Sequence, residues 1–260
     1  MKKNKKIFIV PRNDLEAVEI INLLSHSGEK VVVSQQRWGA RWENLEPEVV
    51  SEVETLLAQN PNVEVVGVEI AGAPRWDGRN IDHHRWSDSD RSHESSSLEQ
   101  VADLLGVTLS RYLRQVAEND KGWIPALVKA GATAGEIGYI RLTDRCSQGV
   151  TPDDEAEAVR AIALAVWVGK RVIVTTTLSS FQLSPISDRV YGQADEWLVK
   201  AANAWLYNGP RHTELFGWVK SSSLGSDRDW SGGSPAFGYA GFVNPSKELQ
   251  SKIEKFFVEG

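Results

Sequence analysis

Cysteine is almost missing from this chain. Its single thiol, Cys146, excludes an internal disulfide framework and any zinc site built on several thiolates, which fits a reducing compartment. Long apolar runs are missing too. Nothing approaches the roughly 18 residues of a membrane-spanning helix, and the run Ile7 to Val10 after the basic MKKNKK start is too short for a signal-peptide core. A cytoplasmic location without a membrane partner is therefore expected. Basic charge is not in excess either: Lys and Arg total 29 against 35 Asp and Glu, a net charge of −6. That balance argues against a broad surface tracking the phosphates of long duplex nucleic acid. What the chain does have is core. Its 260 residues, 41% hydrophobic, bury enough to fold without a disulfide or structural metal, so any metal here is expected to be functional.

Strand and helix patterns alternate through the first half. "KKIFIV" is apolar and β-branched, "PRND" is loop chemistry, and "LEAVEIINLLSH" repeats its apolar positions at helical spacing. "KVVVSQ", the helical "PEVVSEVETLLAQN" and the strand-like "VEVVGVEI" continue the alternation, and a short strand "RNI" ends at Asp82. This order implies an α/β fold with a mainly parallel sheet flanked by helices. Helices are expected over "SSLEQVADLLG", "TLSRYLRQVAEND" and "TAGEIGYIRLTDRCS", the last opened by Thr133 with Glu136 three residues on. "TPDDEAEAVRAIALAVWVG" reads as one helix ending at Gly169. Later runs, "RVIVTTTL", "EWLVKA", "AWLYNG" and "TELFGWV", read as short β-prone segments, and "PSKELQSKIEKFFVE" as an amphipathic closing helix. A first domain over residues 1–150 and a smaller α+β domain over 151–260 follow from this change of texture. No repeat or long low-complexity stretch is present.

Ligands of parallel sheets bind beyond the carboxyl ends of the strands, where Asp14, Glu69 and Asp82 all fall. In "RNIDHHRW" the aspartate precedes two adjacent histidines. On a straight strand His83 and His84 would point to opposite faces, so both can serve one site only if the backbone turns there. A strand-to-loop transition supplies that turn. Asp82 and one imidazole would then ligate metal while the other contacts an anion; two surface histidines after a strand is the open alternative.

"NIDHH" resembles the name-giving motif of the DHH phosphoesterases, and the resemblance extends over nearly the whole chain. "PRNDLEA" is similar to that family's first motif, with Asp14 and Glu16 in its two carboxylate positions. Glu69 matches the second-motif aspartate, and Asp120 in "AENDKGW" the fourth. "GGSPAFGYAGF" resembles the glycine-rich phosphate-contacting segment of the associated DHHA1 domain, in which Gly232, Gly233 and Ser234 would meet substrate. The resemblance implies hydrolysis of a small nucleotide or phosphate ester with Mn2+ or Mg2+ as cofactor. Asp14, Glu16, Glu69, Asp82, His83 and Asp120 would hold metal, Asp82, His83 and His84 would carry catalysis, and a bridging carboxylate would let two cations share one water. The chain departs from the pattern at Val10, where a histidine is usual, at Ser234, also usually histidine, and at Glu16 and Glu69, usually aspartates. These departures leave one metal position well supplied and the second thinly so. A nucleotide-binding or regulatory protein on the same fold is the alternative.

Ten tryptophans is a high count, and Trp38, Trp42, Trp76, Trp86 and Trp123 lie near the site motifs. In "QRWGARW", Arg37 and Arg41 could bind phosphate and the indoles could stack a base; packing in a core or lid is the competing account. Asp88 and His93 lie in a polar loop read as exposed. Asp144, Arg145 and Gln148 in "TDRCSQG" are expected at an inter-domain salt bridge. A homodimer is left open.

Overall fold

The computed structural model describes residues 6–86, 89–234 and 236–259. Two compact units divide it, Met1–Gln148 and Gly149–Gly260. In the first, strands β1 (Lys6–Pro11), β2 (Lys30–Ser34), β3 (Glu64–Val68) and β4 (Arg79–Ile81) form an all-parallel sheet in the order β2-β1-β3-β4. β1 explains the layering. Phe8 and Val10 face one side and pack with Leu15, Ile20, Val66, Val68, Leu98 and Val101, whereas Ile7 and Ile9 face the other with Trp42, Val49 and Val53. Burial on both faces is why the strands read as continuous apolar runs.

Helices α1 (Leu15–His26), α3 (Ser97–Leu105), α4 (Arg111–Lys129) and α5 (Ala134–Ser147) contribute to the first layer, and α2 (Pro47–Gln59) to the second. Their starts are chemically marked. Asp14 caps α1, its Oδ1 accepting the Ala17 N–H at 2.8 Å. Ser96 with Glu99, and Thr133 with Glu136, form reciprocal capping boxes on α3 and α5. α4 breaks at Gly122 and Trp123, whose φ of 56° is left-handed, two residues beyond Asp120.

The second unit is built on a six-stranded mixed sheet, order β5-β6-β7-β8-β10-β9. Its strands are β5 (Val166–Val168), β6 (Arg171–Thr175), β7 (Glu196–Lys200), β8 (Ala204–Gly209), β9 (Trp230–Ser234) and β10 (Phe237–Val243), with helices α6 (Pro152–Ala163), α7 (Ser184–Val190), α8 (His212–Ser221) and α9 (Lys247–Glu259). Leu198, Tyr207, Leu215, Val219, Phe242, Ile253 and Phe257 form its core.

Two readings from sequence are corrected here. The helix expected to reach Gly169 stops at Ala163, and the β-branched "VWV" after it pairs antiparallel with β6 as β5. "TELFGWV" is helical: His212, Leu215 and Val219 are buried at spacings of three and four, a period that a short aromatic run conceals. Gly232, Gly233 and Ser234 lie on β9, paired antiparallel with Phe237 to Tyr239 of β10. There a Cβ on Gly233 would stand 2.4 Å from the Gly238 Cα, so close strand approach alone requires glycine.

Candidate metal centre

Three strand ends and one helix break deliver the polar residues. Glu69 directly follows β3 with φ 55°, a left-handed conformation that costs a non-glycine residue about 1–3 kcal/mol. Its N–H still bonds the Ile81 carbonyl at 2.9 Å, so the β3–β4 pairing continues through the turn. Beyond β4 the backbone also turns: the His84 N–H donates to Asp82 Oδ1 at 2.9 Å, a local side-chain turn of the kind aspartate favours. The two imidazoles consequently lie together, with ring centroids 4.3 Å apart. Both rings border one small region.

Around His83 the carboxylates converge. Its Nε2 lies 2.5 Å from Asp120 Oδ2, 3.6 Å from Glu69 Oε1 and 3.7 Å from Glu16 Oε2. Glu69 Oε1 is also 3.8 Å from His84 Nδ1. One ligand atom from each of Glu69, His83, His84 and Asp120 fits within 4.8 Å of the others. Glu16 Oε2, Glu69 Oε1, His83 Nε2 and Asp120 Oδ2 are all buried, and none has a hydrogen bond of good geometry. Buried polar atoms left this way cost free energy, and here they share one small volume. That donor set, oxygens with a minority of imidazole nitrogens, fits a divalent cation.

The protonation balance agrees. Burial, the largest influence on Glu16, and the charge of Asp120 raise its carboxyl well above the usual range. Burial likewise raises Asp14 and Asp120, helped in each case by the charge of Glu69. Burial also opposes ionisation of Glu69, but His83 and His84 outweigh it and pull this carboxyl down to about 2. For His83, burial disfavours the charged ring, yet Asp120, Glu16 and Glu69 hold it protonated up to about 12. A proton on His83 thus occupies the place that suits a cation.

The remaining candidates are distributed otherwise. Asp82 is buried, and both its oxygens are engaged: Oδ1 with the His84 N–H and, at 3.0 Å, with His84 Nδ1, and Oδ2 with Trp86 Nε1 at 2.5 Å. Asp14 caps α1 and lies outside the four-residue group. Glu16 borders it, its Oε1 accepting the Leu98 N–H at 3.1 Å. Val10 is 1% exposed and belongs to the core, which accounts for its place in the sequence. Arg37 is exposed, and Arg41 pairs with Glu43. Gly232, Gly233 and Ser234 belong to the second unit, in the β9–β10 hairpin. His93 is exposed beside Glu94, and Asp88 lies outside the described residues. Trp42 is a core residue, its Nε1 bonded to Asn80 Oδ1 at 2.8 Å.

Asp144, expected at an inter-domain salt bridge, instead works inside the first unit. Its Oδ2 accepts from Arg141 at 2.6 Å and from Asn119 at 3.3 Å, and its Oδ1 accepts the Leu15 N–H at 3.2 Å. Arg141 also donates to Asn119 Oδ1 at 2.9 Å, tying the residue before Asp120 to the start of α1. Sequence reasoning passed over Arg141 and Asn119; the available signal was "RLTD", an Arg and an Asp three apart on a helix.

No family model matches the chain, and no curated protein matches it. Among solved structures it is similar to the pGpG-specific phosphodiesterase PggH from Vibrio cholerae, at 12% identity and a TM-score of 0.44 over 98% of each chain.

Proposed function

We propose that this chain is a divalent-metal-dependent phosphohydrolase of DHH type, acting on a small nucleotide or phosphate ester. The observation that carries the reading is the convergence of four buried atoms, from Glu16, Glu69, His83 and Asp120, on one volume in which the His83 ring is the only cationic partner of the three carboxylates among these contacts. Glu69, His83, His84 and Asp120 would hold the ion, with Glu16 at its border. Imidazole beside carboxylate favours manganese over magnesium, which prefers all-oxygen surroundings. A divalent cation supplies charge stabilisation at a phosphoryl oxygen and makes a bound water more acidic. The protein supplies geometry: Asp82 orients His84 and Trp86 through three contacts, and the strained Glu69 backbone fixes its carboxylate.

Val10 supports a second reading, a nucleotide-binding protein with a reduced metal centre, because its side chain is committed to the core. Purified protein assayed with manganese against a generic phosphodiester and a nucleotide panel, beside His83→Ala, separates the two. Manganese-dependent turnover lost in His83→Ala is expected. Turnover indistinguishable from that variant, with no manganese bound, would sink the hydrolase reading.

A further inference from the structure

An aromatic ladder leads out of the metal centre. His84 lies 5.4 Å from Trp86, and Trp86 lies 5.5 Å from Trp38, ring centroid to ring centroid. The inner rungs are fixed, since Asp82 bonds both the His84 ring and the Trp86 indole N–H. Trp38 is the outer rung and is 61% exposed. A lone exposed aromatic on a loose loop would mean little, but this loop is held at both ends. Gln36 clamps Arg41, donating to its carbonyl at 3.1 Å and accepting its N–H at 3.0 Å. Just beyond, the Ala71 N–H donates to Ala40 O at 2.8 Å, and the Trp42 N–H to Ala71 O at 3.1 Å. Ala71 is two residues from Glu69, so the loop that presents Trp38 is hydrogen-bonded to the segment that presents a metal ligand. At the loop's start, the Gln35 N–H donates to Glu46 Oε1 at 2.7 Å.

We infer that Trp38 is a stacking platform for the substrate's nucleobase, which narrows the substrate class from phosphate esters in general to nucleotides; this rests on the phosphohydrolase reading above. The chemistry is direct. A phosphate held at the cluster leaves its sugar and base directed away from the buried carboxylates, and the ladder offers them a flat apolar face two ring spacings from His84. Trp86 packs against Trp38 with the two ring planes 47° apart, so ordering the indole costs little when a base arrives. Stacking of this kind is tolerant of base identity, because every base has a π-face. The platform therefore selects for the presence of a base rather than for one base.

AMP and ribose 5-phosphate differ only by the base, so their affinity ratio reads the platform separately from the phosphate. With manganese present, calorimetry on the full chain should show AMP binding tighter by about tenfold or more, the range of a single stacked base. Trp38→Ala should collapse that ratio towards one, and Trp38→Phe should keep most of it. Equal or undetectable binding of the two ligands by the unsubstituted chain overturns the proposal, as does an unchanged ratio in Trp38→Ala. Loss of both ligands in both variants overturns it too, since that marks general disruption. Failure of the hydrolase reading shows elsewhere, as absent manganese-dependent turnover with the AMP ratio intact.

Discussion

His83 stands among Asp120, Glu16 and Glu69 with its ring held protonated up to about 12, so a cation entering this volume must displace a proton. Manganese affinity should accordingly rise with pH, and each binding event should release protons. Calorimetry in buffers of different ionisation enthalpy measures this, and heats independent of the buffer would contradict it. A second residue-scale consequence concerns Asp144. It and Arg141 are both buried, and removing one partner of such a pair strands the other charge. Asp144→Ala should lose about 3–5 kcal/mol of stability, read from the denaturant midpoint. The i,i+3 spacing of Arg141 and Asp144 was legible in the sequence, but the burial of that pair and the convergence on His83 were not. Asp14, Glu16, Glu69, Asp82 and Asp120 look alike as carboxylates in a sequence, and only coordinates separate the cap, the orienting group and the converging set.

At the scale of elements, β3 shows how tightly the sheet is built under the site. A Cβ on Gly67 would stand 2.3 Å from the Trp42 indole, whose N–H is bonded to Asn80 on β4. Gly67→Ala should therefore push Trp42 out of its place and cost about 1–3 kcal/mol, the usual penalty of overpacking; an unchanged melting temperature would show that Trp42 moves freely. The strands and most helices of the first unit were legible because two-sided burial writes continuous apolar runs and capping residues mark helix starts. α8 and the early end of α6 were not. The apolar run that closes α6 continues without a break into β5, and a run such as "ELFGWV" fits either period until His212, Leu215 and Val219 are seen buried together.

For the molecule as a whole, the first unit carries buried carboxyls whose pKa values are raised, Asp14, Glu16 and Asp120. A group with a raised folded pKa contributes its stability below its unfolded pKa and loses it as pH climbs through the folded value. Glu69, held down at about 2, acts oppositely, but its contribution is complete above the ordinary carboxylate range and changes only in strong acid. His83, raised to about 12, acts in the same direction: its contribution is complete only below the ordinary histidine range and declines progressively as pH climbs from there towards about 12. Metal-free protein should thus melt at lower temperature as pH rises from about 5 to 8. Manganese at a hundredfold excess over its Kd should restore about 2.7 kcal/mol. Scanning calorimetry with and without chelator tests both signs, and a metal-free melting temperature that rises over this interval would refute the account. Composition, strand and helix alternation and the "NIDHH" motif determined the fold class and the end of the sheet where the polar residues gather, because burial and helix capping leave local, periodic marks. Tertiary structure alone decided which carboxylates converge on His83, that Val10 is core, and that Trp38 stands outside on a clamped loop. Those are distances between residues far apart in the chain, and no local pattern encodes them.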